Sequence, residues 1–290
     1  MKALILGGSG FIGSWVQHQR PRWDWTTINT ANCDLLDSRA VDSFQGQFDV
    51  VINASGFFGG LVFNQTHGKN ILDKNLVMNV NIASLVKRLR PKKFVTVGSA
   101  CVYPQSSDQH LSESMIGASD QYHESVKYSA QAKYALLQTM QDQDVPWEYL
   151  ILSNVYGPGE HMDLERSHFV GSFINKIKNS QDQINMLGTG EAVRDFIYVE
   201  DAAEIICAYA ERDMATCSPT NVGTGIPVSI RKVAEILLDK SRCRLPMVWG
   251  DARDNGSLYK VLDNSKLLQD TQIEFTPLEL GLQKTWWYFA

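Results

Sequence analysis

The sequence predicts an α/β fold, a doubly wound parallel sheet carrying a smaller α/β lobe, and three observations predict it. The chain opens with a short apolar strand, Ala3 to Leu6, which runs into glycines at 7, 10 and 13 and then into a helical pattern. Apolar, β-rich runs then alternate with stretches of helical period as far as residue 152. After Asn154 that rhythm is broken by Pro158 and by glycines 157, 159 and 171. Alternation of this kind means parallel strands joined by right-handed crossovers, with a ligand at the carboxyl ends of the strands.

Taken in order, residues 25–28, 48–52 and 93–97 read as further strands. A helix over 69–89 places Leu72, Leu76, Val80, Ile82, Leu85, Val86 and Leu89 at three- and four-residue steps and is stopped by Pro91. A second long helix is expected over 120–141, followed by a strand over 147–152. Helices over 169–178 and 201–211 flank a turn at Gly188-Thr189-Gly190. Residues 220–222 are β-like, 230–238 helical, 247–249 a strand, and 278–289 a closing amphipathic helix whose aromatic end anchors it in the core. The expected division is a dinucleotide-binding domain over 1–154, completed by 197–222, and a substrate lobe over 155–196 and 223–290.

The chain has 290 residues, 44% of them hydrophobic, enough for a large core. A net charge of −5 without a basic run argues against nucleic acid and anionic membrane as partners. Five cysteines, an odd number with no C-x-x-C pair, argue against a zinc site or a disulfide framework and fit a reducing cytoplasm. The first apolar run is too short for a signal peptide or a membrane span.

The G-x-x-G-x-x-G spacing demands a tight turn and a backbone open to a pyrophosphate, which would rest on the N-terminus of the following helix. This Rossmann-type loop assigns Gly7, Ser9, Gly10, Phe11, Ile12 and Gly13 to cofactor binding. Further along the same rim, Asp34 is placed either to accept from an adenine amino group beside Leu35 or to cap the next helix. Small residues in Asn53-Ala54-Ser55 let backbone lie along the cofactor. The second strand ends in Asn29-Thr30-Ala31-Asn32, neither the acid that favours NAD nor the arginine that favours NADP. Ser99 and Cys101 fall at the carboxyl end of the fourth strand, where Cys101 either faces a substrate or fills space as a small hydrophobe. Tyr128 and Lys133 lie on the long helix beyond; a phenol needs a nearby ammonium to shuttle protons near neutrality.

These residues spell a family. The motifs GGSGFIG, DLLD, VINASGFFGG, GSACVYP, NVYGPGEHMDLERSH, GTGEAVRDFIYVED, TNVGTG and KVLD span nearly the whole chain. With them the chain resembles the extended short-chain dehydrogenase/reductases that act on nucleotide sugars, and among these the epimerase-reductases of the GDP-L-fucose synthase type. The resemblance implies Ser99 on the sugar's keto oxygen, Tyr128 as its proton donor, and Cys101 with His168 as the base and acid that invert carbons 3 and 5. It also implies Asn154, Lys176 and Arg194 as substrate-binding residues, a nucleotide-sugar substrate that is GDP-linked, NADP(H) as cofactor with NAD(H) as the alternative, and a cytoplasmic homodimer. Val77, Leu137 and Met140 are the apolar residues expected on the outer faces of its two interface helices.

One departure stands out. The family's tyrosine and lysine are four residues apart, whereas Tyr128 and Lys133 are five apart. Five steps place them roughly 140° apart around an α-helix, against roughly 40° for four. A one-residue insertion absorbed as a π-bulge is the expected remedy. Two other readings remain open: carbonyl reduction or 4-epimerisation without inversion at carbons 3 and 5, and dinucleotide binding without turnover.

Overall fold

The computed structural model describes residues 1–105, 109–119 and 121–290. In it β1 (Lys2–Leu6), α1 (Phe11–Gln19), β2 (Asp24–Ile28), α2 (Ser38–Ser43), β3 (Val50–Asn53), α3 (Leu61–Leu89), β4 (Lys93–Ser99), α4 (Lys127–Gln141) and β5 (Trp147–Leu152) follow the expected alternation. Beyond them come β6 (Asn154–Tyr156), α5 (Phe169–Asn179), β7 (Ile184–Asn185), β8 (Val193–Arg194), β9 (Phe196–Tyr198), α6 (Val199–Glu211) and β10 (Pro219–Val222). The chain ends with β11 (Val228–Ser229), α7 (Ile230–Ser241), β12 (Met247–Val248), β13 (Tyr259–Lys260), α8 (Ser265–Asp270) and α9 (Leu278–Phe289).

Six parallel strands form the main sheet in the order β10-β5-β4-β3-β1-β2. Strand residues alternate between its faces. Leu4, Leu6, Val51, Phe94 and Ile151 pack under α3 and α4, through Ile82, Leu85, Leu136, Leu137 and Met140. Ala3, Ile5, Ile52, Val95 and Leu150 pack against α1 and α6, through Val16, Ala203 and Ile206. Burial on both faces is why these strands read as continuous apolar runs. A third cluster, built from Tyr156, Phe173, Ile174, Phe196, Tyr198, Val233, Leu237 and Leu282, holds α5, α7 and α9 together.

Strand order reverses between β1 and β3, so the loops leaving those two strands flank the switch point where ligands bind in such sheets. The remaining small strands pair among themselves: β6 with β9, β8 with β11 and β13, β7 with β12.

Several expectations need correction. The helix α3 begins eight residues before 69, and Leu76 and Val80 face outward, 38% and 64% exposed. Its inward positions in that half are Phe63, Ile71, Asn75 and Met78, so the stripe read from the sequence fails at Leu76 and Val80 and holds at Ile82, Leu85 and Val86. Leu137 and Met140 of α4 are buried against the sheet, and of the residues expected on an outer face only Val77 is exposed. The expected start of α4 at residue 120 lies outside the described residues, and the helix itself begins at Lys127. In α9, Trp286 and Phe289 pack on the third cluster while Trp287 and Tyr288 face solvent. Among the described residues no helix is long and apolar enough to cross a membrane.

Candidate active site

Gly7 leaves β1 at φ +79°, and a side chain there would start 2.8 Å from the Ser55 backbone. Gly13 is equally constrained, since a β-carbon would come within 2.3 Å of the Gly7 carbonyl. Gly10 is different: a β-carbon would meet only the Gly7 carbonyl, at 3.2 Å, and otherwise open space. That open side is where a phosphate can approach. Gly10 caps α1 without a side chain, and no acid occupies the first turn, so the N–H groups and positive end of the helix stay available to an anion. Gln17 holds the loop to the sheet, donating to the Gly8 carbonyl at 2.7 Å and accepting from Thr27. Ser9 is exposed, and Phe11 and Ile12 are half-buried beside it. A dinucleotide fits this cradle.

Next on the rim, Asp34 closes a local turn through the Leu36 N–H, and the helix cap expected of it is supplied instead by Asp37. The Leu35 side chain lies in the core, with its carbonyl bonded to Asn81. Asn53 is buried and fully engaged, donating to Thr96 and accepting from Ser55, so it shapes the loop containing Ala54 and Ser55 from beneath. An asparagine turn closes the end of β2: Asn29 and Asn32 each bond backbone within it.

At the end of β4, Ser99 Oγ accepts the Cys101 N–H at 3.3 Å and caps a 3-10 turn over Ala100–Val102. This turn lifts Cys101 to a half-exposed position over the rim. Three cations lie within electrostatic reach of Cys101: Lys133, Arg194 and Lys260. Burial pushes Lys133 down to about 8 and Arg194 down to about 10, and lowers Lys260, the nearby thiol opposing burial in each case. Lys133 Nζ donates to the Val97 carbonyl at 2.8 Å and sits 4.5 Å from the centroid of the Phe58 ring. Arg194 is held by the carbonyls of Val193 and Asn255. Among the described residues none of the three has a carboxylate partner, so their uncompensated charge is an invitation to an anion. Lys260 is the member that sequence reasoning missed. Its KVLD motif was visible, but only the pairing of β13 with β8, Lys260 opposite Arg194, puts it here.

The π-bulge expected between Tyr128 and Lys133 is absent, because α4 is regular α-helix from Lys127 onward. Tyr128 therefore turns towards α3, where its ring edge lies against Gly68. Ser129, not Tyr128, stands four residues before Lys133, and its hydroxyl donates to Asn64. Tyr128 and Lys133 share no hydrogen bond among the described residues.

His168 caps α5, whose approach is fixed where the Gly60 N–H donates to the Arg166 carbonyl. His168 is exposed as a residue, while desolvation by the protein around its ring, with His161 nearby, lowers its affinity for a proton. It shares no hydrogen bond with Cys101 among the described residues. Close to it Glu160 is buried with no side-chain partner among the described residues, facing the backbone N–H groups of Gly171 and His168, and desolvation pushes its carboxyl up to about 8. Asn154 donates to the Asp195 carbonyl at 2.8 Å, beside Arg194. Lys176 points elsewhere, to the Asn185 carbonyl at 2.7 Å.

Residues 3–223 match the model of the NAD dependent epimerase/dehydratase family. The chain is 26% identical over 301 residues to GDP-L-colitose synthase of Yersinia pseudotuberculosis, covering 100% of this chain and 98% of that protein. It is 26% identical over 304 residues to GDP-L-fucose synthase 1 of Arabidopsis thaliana, covering 99% and 93%. Among solved structures, a GDP-L-fucose synthetase from Naegleria fowleri bound to NADP superposes with a TM-score of 0.87 at 22% identity, covering 99% of this chain and 92% of that one. With a glycine cradle at the switch point and a family model matched across the whole main sheet, the chain belongs to the NAD dependent epimerase/dehydratase family.

Proposed function

We propose that the protein is an NADP(H)-dependent epimerase-reductase acting on a GDP-linked 4-keto-6-deoxy sugar. The observation that carries this reading is the half-exposed Cys101 thiol near Lys133, Arg194 and Lys260, three cations without a carboxylate partner among the described residues. Arg194 and Lys260 suit a diphosphate. The GDP-sugar names of the full-length relatives and the NADP in the Naegleria structure support the ligands.

When bound along Gly7 to Gly13 and Lys133, NADPH supplies the hydride that reduces the keto group. Ser99 holds the keto oxygen, and Cys101 removes a proton from the adjoining carbon. Cationic neighbours stabilise the enolate that results. His168, neutral in its crowded position, exchanges protons at the ring's other face. Asn154 lines the sugar pocket, and Lys176 fixes the lobe that carries His168. Tyr128, turned towards Gly68 and without Lys133 as a hydrogen-bond partner among the described residues, is the phenol assigned to donate the final proton to the carbonyl oxygen.

The regular helix at α4 favours a second reading in which the same sugar is inverted without efficient reduction. Following NADPH consumption by wild type and Tyr128→Phe separates the two. Loss of about 100-fold or more in the variant supports the epimerase-reductase; equal rates remove Tyr128 from the chemistry, and a wild type that consumes no NADPH leaves inversion alone.

We further assign the protein to the cytoplasm, on its five free thiols, and to a homodimer joined through the exposed Leu76, Val77 and Val80 of α3.

A further inference from the structure

Ahead of α4 the chain makes a 3-10 turn, Glu124–Val126, with His123 at its head. His123 Nδ1 accepts the Ser125 N–H at 3.3 Å and lies 2.8 Å from Ser125 Oγ. A nitrogen that accepts a backbone N–H carries no proton, so the bonding pattern assigns the neutral ring its proton on Nε2. Nε2 has no hydrogen-bond partner among the described residues. The charges facing the ring are Lys260 on β13, Arg194 on β8 and Glu124 on its own turn. Turn and lobe meet at Gly256: a β-carbon there would lie 3.7 Å from Ser125 Oγ and 3.5 Å from Arg194 Nη2. One uncharged N–H donor thus stands beside two cations that have no carboxylate partner among the described residues.

We propose that His123 is a substrate-binding residue whose Nε2–H donates to the diphosphate of the nucleotide sugar alongside Arg194 and Lys260. The inference rests on the nucleotide-sugar reading above. Protonating the ring would forfeit the bond from the Ser125 N–H, and burial with Lys260 and Arg194 further lowers its affinity for a proton. The ring that makes the contact near neutrality is therefore the uncharged one, with its proton on Nε2.

Calorimetric titration with GDP tests it on the full chain, comparing wild type with His123→Asn and His123→Ala. Asparagine keeps an acceptor for the Ser125 N–H and lacks the outer nitrogen. Both variants are expected to bind GDP about tenfold more weakly and NADPH as wild type does. Wild-type affinity for GDP in His123→Asn overturns the proposal, as does a loss confined to His123→Ala, which marks a cap for the turn only. An equal loss of NADPH binding also overturns it, because the damage is then general. Should wild type bind NADPH and no GDP at all, the nucleotide-sugar reading falls and this inference with it; GDP binding that ignores His123→Asn removes this inference alone.

Discussion

At the scale of single residues, the site is governed by charge left without a partner. Burying a cation costs free energy unless something compensates it, and three are held here around one thiol. Glu160 is the acidic counterpart, a carboxyl buried at the head of α5 with no side chain to pair it among the described residues. Its proton affinity is higher folded, about 8, than in the unfolded chain, about 4.3. The stability it contributes is therefore complete below about pH 4.3 and is lost as the pH rises through 8. Between pH 5 and 8.5 the wild-type thermal midpoint should fall at least ~5 °C further than that of Glu160→Gln, measured by calorimetry; parallel profiles would show that the carboxyl is solvated. Cys101, His168 and Arg194 were legible as candidates because their motifs are contiguous in sequence. Lys260 and His123 were not, because β13 pairing and a turn that no local pattern announces bring them beside Arg194.

Elements differ in how far their sequence determines them. The β1–α1 unit was readable because each glycine answers a steric demand made within a dozen residues, and those demands are distinguishable by substitution. Gly10→Ala should leave the thermal midpoint within ~3 °C of wild type while weakening NADPH binding tenfold or more, whereas Gly13→Ala, colliding with the Gly7 carbonyl, should cost about 1–3 kcal/mol of stability. Unfolding curves and a fluorescence titration of the nicotinamide check both. The register of α4 was not readable. An extra residue between tyrosine and lysine permits either a bulge or a rotation, and tertiary packing decided it: Lys133 is fixed by Val97 and Tyr149 by the Lys133 carbonyl, so the regular helix turns Tyr128 aside to Gly68.

Across the whole molecule, the sequence's alternation gave the six-stranded order its outline, but not which face of a helix turns inward. Both stripes of α3 are apolar, and only the packing under β1, β3 and β4 shows that Leu76, Val77 and Val80 are the outer one. Three adjacent exposed aliphatic residues on a 29-residue helix are a costly surface for an isolated chain. Val80→Asp should convert a dimer into monomers in light scattering with the main-sheet core intact; a wild-type monomer at micromolar concentration would remove this assignment.

The central claim is that Cys101 moves a proton at sugar carbon while the rest of the cleft holds a GDP-linked ketone. It is tested most directly by incubating wild type and Cys101→Ser with GDP-4-keto-6-deoxymannose in deuterium oxide and reading the sugar by NMR. The account predicts deuterium at carbons 3 and 5 with wild type and a loss of at least ~100-fold in that exchange with Cys101→Ser, while NADPH binding is unchanged. Deuterium entering at the wild-type rate in Cys101→Ser, or none entering with wild type, would contradict it.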